Sequence, residues 1–82
     1  MDYNTFYLHI ENEISYLNKQ ICEAERNLKG NSLSVRMKSL LEDKDIVINK
    51  AFKELQVPLH QQEEFKDILF TDDEFDHLCD VA

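Results

Sequence analysis

One glycine and one proline in 82 residues leave too few turn formers for a β protein of many short strands. With Gly30 as the only glycine, there is also no glycine-rich loop to cradle a phosphate. No apolar run approaches the roughly 18 residues of a membrane span. The N-terminal MDYNTFYLHIENE has neither a basic start nor a continuous apolar stretch for export, so the expectation is a cytoplasmic protein with no membrane contact. Cys22 and Cys79 stand far apart without Cys-x-x-Cys spacing, which points to free, partly buried thiols rather than a disulfide, a redox pair or metal ligands. Bases are scarce too. Nine Lys and Arg against 17 Asp and Glu give a net charge of -8, a balance that disfavours nucleic acid as a partner because its backbone would be repelled.

What remains is apolar and helical in pattern. A hydrophobic content of 43% is too high for a disordered chain, even at this charge. The length suits one domain, near the size at which folding buries only about 60–65% of the unfolded surface. Stability is therefore expected to be modest, or shared with a partner. Tyr3, Tyr7, Ile10, Ile14, Leu17, Ile21, Ala24 and Leu28 recur in steps of four and three, the signature of one amphipathic helix over about residues 4–29, with Phe6 widening its first turns. KGNS at 29–32 supplies Gly30 as a left-handed stop and Asn31 or Ser32 as the next N-cap. The short connection returns a second helix, about 33–56, antiparallel to the first. Its inward series is Leu33, Met37, Leu40, Val47 and Ala51, with Lys44 interrupting it, flanked by Leu41, Ile48, Phe52 and Leu55. A second N-cap at Ser39, with Glu42 as its reciprocal partner, would instead divide this segment in two.

Pro58 ends the second helix and suits the first turn of another, about 60–69, with Phe65, Ile68 and Leu69 on one edge. Thr71 and Glu74 have capping-box spacing, with Phe70 and Phe75 placed as a hydrophobic staple, so a terminal helix is expected over 72–81 with Phe75, Leu78, Cys79 and Ala82 inward. The fold class expected is all-α: a long antiparallel helical hairpin with two short C-terminal helices, forming a small bundle in a single domain over 1–82.

Charge is concentrated at that end. Glu63, Glu64, Asp67, Asp72, Asp73, Glu74, Asp76 and Asp80 face Lys66 alone, leaving residues 1–60 close to neutral. Asp72, Asp73 and Glu74 are first-turn residues favoured by the helix dipole. Asp72, Asp76 and Asp80 form a stripe of like charges that a basic partner would relieve, or that keeps the chain soluble. His9 with Glu13, His60 with Glu64, and His77 with Asp73 or Asp80 are spaced as local pairs. No three or four ligands converge on a zinc geometry, and DDEFDHLCD lacks the glycine of an EF-hand, so no metal and no cofactor is expected. Arg26, Lys29, Arg36 and Lys38 gather at the hairpin turn without an aromatic stacking platform, a pattern suited to solvated bases or to docking of the acidic end.

Residues 10–52 faintly resemble the small helical-hairpin aspartyl-phosphate phosphatases that act on response regulators in spore-forming bacteria, whose mark is a Ser-Gln-x-Leu-Asp run on the second helix. The resemblance implies Asp45 in the Asp position. Leu41 and Glu42 stand where Ser and Gln belong, and Lys44 replaces the Leu. Ahead of that activity the residues favour a noncatalytic protein-binding regulator or adaptor acting through an apolar helical face. A second reading is an acidic inhibitor or immunity-type protein covering the basic site of a nuclease or DNA-binding protein. The residues expected to bind are Leu41, Ile48, Phe52 and Leu55 on the apolar side and Asp72, Asp76 and Asp80 on the charged side. The expected partner is another protein, a basic one for the charged side; a second copy of the chain, giving a homodimer, is the other candidate.

Overall fold

A computed structural model describes residues 1–71 and Glu74. The expected terminal helix over 72–81 lies outside these residues, Glu74 apart, and so do the Phe75 half of the staple, His77 and Cys79. Three helices follow in order, α1 (Tyr3–Asn27), α2 (Gly30–Leu55) and α3 (Leu59–Leu69), and no strand occurs among the described residues. The all-α class and the long hairpin are as expected. Phe6 stacks on Phe52 at 5.0 Å between ring centroids, and Lys44 Nζ donates to Asn18 Oδ1 at 3.1 Å, a pairing that only antiparallel helices produce. The 26 residues of α2 span about 39 Å at 1.5 Å each, matching the 39 Å longest dimension of the molecule.

The heptad series of α1 becomes its buried stripe: Ile10, Ile14, Leu17, Ile21 and Ala24 are buried, and Tyr3, Tyr7 and Leu28 pack partly against them. Each Ile or Leu side chain of this stripe removed from water contributes about 1.5–3 kcal/mol. Phe6 is fully buried and stacks on both Phe52 and Phe65, so the first turns of α1 form the junction of all three helices.

The turn departs from expectation in its details. α1 ends at Asn27, with Leu28 extended and its N–H donating to the Ala24 carbonyl. Lys29 is extended as well, and Gly30, at φ +61°, is the first residue of α2 rather than the stop of α1. Neither Asn31 nor Ser32 is the N-cap; Lys29 holds that position without a side-chain cap. The half-buried Leu28 explains the shift, since keeping its side chain on the core pulls the chain out of the helix before the glycine. α2 then runs unbroken through Ser39, so the N-cap there is not used.

α2 ends in a Schellman motif: Gln56 is left-handed at φ 53°, its N–H reaches the Lys53 carbonyl, and the Val57 N–H reaches the Phe52 carbonyl at 3.0 Å. Val57 is buried beside that last turn, and Pro58 bars continuation. The Pro58 carbonyl accepts from Gln61 and Gln62 N–H at 3.0 Å each, opening α3. Phe65, Leu69 and the following Phe70 are buried. Met1 and Gln61 exchange two hydrogen bonds, and Lys66 pairs with Asp45 at 3.3 Å, fixing α3 to the residues ahead of α1 and to α2.

Candidate functional site

Lys44, the interruption in the apolar series, is the most buried charge among the described residues, at 1% exposure. Its Nζ donates to Glu74 Oε2 at 3.0 Å and to Asn18 Oδ1 at 3.1 Å, and lies 4.9 Å from the centre of the Phe70 ring. A buried ammonium is tolerated only when paired and hydrogen-bonded, and these partners come from α1 and from the stretch that follows α3. Glu74 is held in turn by Thr71. Its N–H donates to Thr71 Oγ1 at 3.2 Å, while the Thr71 N–H reaches Glu74 Oε1 at 3.4 Å. The capping box read from the sequence therefore forms, and the same carboxylate that closes it also neutralises Lys44. Among the described residues no buried side-chain nitrogen or oxygen lacks a partner.

Beside this pin, on the flank that carries α3, lies a groove of about 690 Å³ floored by Ile21, Leu33, Met37 and Leu69 and rimmed by Cys22 and Glu25. Thr71 and Glu74 of the chain's own C-terminal segment line it, so its volume does not argue for a free surface. Cys22 is a free thiol and exposed rather than partly buried, because it sits one step past Ile21 on the rim of the stripe.

The opposite flank of the hairpin is different. At 100° per residue, Tyr3, Asn18 and Cys22 fall on one side of the buried stripe of α1, and Asn12, Glu13 and Tyr16 on the other. There an open groove of about 410 Å³ runs between α1 and α2, lined by Asn12, Glu13, Tyr16, Leu17, Asp43 and Val47. Tyr16 is 63% exposed and Val47 half-buried, giving a mostly apolar floor. Glu13 and Asp43 stand on opposite lips, and neither takes part in a hydrogen bond or ion pair with the described residues.

The apolar residues expected to bind a partner are placed elsewhere. Leu41 and Ile48 are fully buried and Phe52 is 3% exposed, within the chain's own core, while Leu55 is half-buried. The correction has a simple cause: α3, Val57 and Phe70 supply the second covering layer that the wide stripe of α2 calls for. Asp72, Asp76 and Asp80 lie outside the described residues.

The local histidine pairs are corrected as well. His9 Nε2 meets Glu54 Oε2 across the hairpin at 3.4 Å instead of Glu13, and His60 forms no pair with Glu64. Arg26, Lys29, Arg36 and Lys38 are exposed and form no ion pair with the described residues; Glu74 of the acidic end docks on Lys44 instead, and Lys66 of α3 pairs with Asp45 of α2. Asp45, the residue that the phosphatase resemblance would make catalytic, is held by Asn49 Nδ2 at 3.1 Å and by Lys66.

Burial moves one phenol: it pushes the Tyr3 hydroxyl above its usual range, and the neighbouring Tyr7 adds to the shift. Among the described residues no three His, Cys, Asp or Glu side chains gather to hold a metal, and no helix is long and apolar enough to cross a membrane. Sequence reasoning missed the Tyr16 groove because Tyr16 lies outside the heptad series; its signal is an aromatic on the polar flank, opposite Val47. Comparison of the chain with protein-family models, curated proteins and solved structures finds no match.

Proposed function

We propose that this protein is a noncatalytic protein-binding regulator or adaptor that holds its partner on the flank of the α1–α2 hairpin not covered by α3. The observation that carries this reading is the groove at Tyr16 and Val47, where a large aromatic side chain stays 63% exposed beside an apolar floor. Exposed aromatics in such positions supply much of the energy of protein interfaces. Tyr16→Ala leaves the buried stripe untouched and is expected to change stability by less than about 0.5 kcal/mol. Affinity capture from the native cell with wild type and with Tyr16→Ala, followed by mass spectrometry, tests the reading. A partner retained by wild type and lost by the variant supports it; identical captures overturn it.

The acidic inhibitor reading keeps one specific support: Glu63, Glu64 and Asp67 are exposed on α3, facing solvent rather than the hairpin. It predicts partner binding that falls steeply between low and physiological salt, whereas apolar docking is nearly indifferent to salt. The phosphatase reading has less support, since Asp45 is committed to Asn49 and Lys66.

A further inference from the structure

Resting on the protein-binding reading, we infer that the Tyr16 groove takes a basic amphipathic helix whose apolar side chain enters between Tyr16 and Val47 while two flanking Lys or Arg side chains pair with Glu13 and Asp43.

The argument for that occupant is charge and spacing. Glu13 and Asp43 are unpaired carboxylates on opposite lips of a mostly apolar groove, in a chain of net charge -8. Because Lys44 meets Asn18, Asp43 stands level with the stretch of α1 just beyond Asn18, five or so residues further along the axis than Glu13. That offset is roughly 8 Å along the axis, and adjacent helix axes lie about 8–10 Å apart, so the two carboxylates are diagonal across the groove at roughly 12 Å. Bases at i and i+7 of a docked helix are about 10.5 Å apart, with an apolar residue at i+3 or i+4 between them on the same face.

The surroundings orient the partner. At the far end of the groove His9 and Glu54 already satisfy each other, and Lys50, one turn past Val47 on α2, repels a third base. A second copy of the chain is disfavoured as occupant, since a two-fold pairing of this flank would set the acidic lips of one copy against the acidic lips of the other. An acidic helix meets the same repulsion.

The test uses the isotope-labelled full chain and a capped alanine-based helical peptide with Lys at i and i+7 and Leu at i+3 and i+4, alongside a counterpart with Glu for Lys. The expected result is chemical-shift change centred on Glu13, Tyr16, Leu17, Asp43 and Val47 with the Lys peptide and none with the Glu peptide. Binding should weaken by roughly tenfold in Glu13→Gln/Asp43→Asn and by at least as much in Tyr16→Ala, with helicity unchanged in each. Lys-peptide shifts confined to residues 61–82 would overturn this inference while leaving a charge-led protein-binding function standing. The same groove shifts appearing when the protein alone is concentrated would overturn it in favour of a second copy. Equal binding of both peptides would overturn the charge assignment and with it the inference.

Discussion

Replacing Glu74 with Gln keeps a capping-box residue at the right spacing but removes the charge that neutralises Lys44, so the variant isolates the buried ion pair from the cap. Removing one partner of a buried pair costs about 3–5 kcal/mol because the other charge is left uncompensated. Two features of this site lower that figure: the Glu74 side chain keeps 11% of its exposure, and Asn18 Oδ1 still accepts from the ammonium at 3.1 Å. The expected loss is about 2–3 kcal/mol. Against a total of about 4–12 kcal/mol for a domain of this length, that is a large fraction, and it corresponds to a melting-temperature drop of roughly 10–20 °C.

Lys44→Met should cost less than Glu74→Gln. The carboxylate left behind can turn toward water and still close the cap, and Met fills the space beside Phe70. The double variant Lys44→Met/Glu74→Gln should return to within about 1 kcal/mol of wild type, since well-packed apolar replacements of buried pairs are often neutral or stabilising. Urea unfolding followed by helical circular dichroism on all four proteins gives the coupling energy directly. If Glu74→Gln changes stability by less than about 0.5 kcal/mol and the cycle shows no coupling, the pair does not hold Lys44 in solution and the pin is wrong.

Four further perturbations test the rest of the fold. Gly30→Ala should destabilise by about 1–2 kcal/mol, entirely through backbone strain at φ +61°, because a Cβ there meets nothing within 4 Å; Gly30→Asn should cost less, and equal costs in urea melts would argue against the left-handed turn. Phe6→Ala opens a cavity at the three-helix junction and should cost about 3–5 kcal/mol; calorimetry showing under about 1 kcal/mol would contradict the stacked cluster. The Tyr3 phenol has a folded pKa above its unfolded value, so its stabilisation is fully present below pH about 10 and is lost as pH rises through the folded pKa; Tyr3→Phe should flatten the alkaline limb of a stability-against-pH curve, and an unchanged limb would exclude Tyr3 as its source. Cys22, being exposed, should react with a thiol reagent in the native protein nearly as fast as in urea, measured in a Cys79→Ser background; strong native protection would move it into the core.

How much of this was readable beforehand depends on whether a feature is local. The α1 stripe, the antiparallel return and both hydrogen bonds of the Thr71–Glu74 box are set by residues within one or two turns of each other, and each appears where the spacing puts it. The Schellman end at Gln56 was less legible, since a left-handed glutamine carries no compositional mark and only Pro58 hints at it. The surplus apolar face of α2 was legible as a surplus, but not its fate. Leu41, Ile48 and Phe52 read equally well as a docking surface or as half of a core. Deciding between them requires knowing that Val57, Phe65, Leu69 and Phe70 return to cover them.

Lys44 shows the limit most clearly. Read along α2 it is a charge where an apolar residue belongs, and the cheapest local inference is a break in the seam. Its acceptors stand 26 and 30 residues away in sequence, on opposite sides of it along the chain, and neither Asn18 nor Glu74 is marked for that role by its own neighbours. Glu74 is marked for a different one, closing the box with Thr71. Because one carboxylate serves both, the start of the acidic C-terminal segment forms best when it is docked on Lys44, and Lys44 is buried at tolerable cost only when that segment is in place. The hairpin and the Thr71–Glu74 turn that follows α3 are thereby coupled through one carboxylate. That coupling assigns the α3 flank to the chain's own closure and leaves the Tyr16 flank open for the partner proposed above.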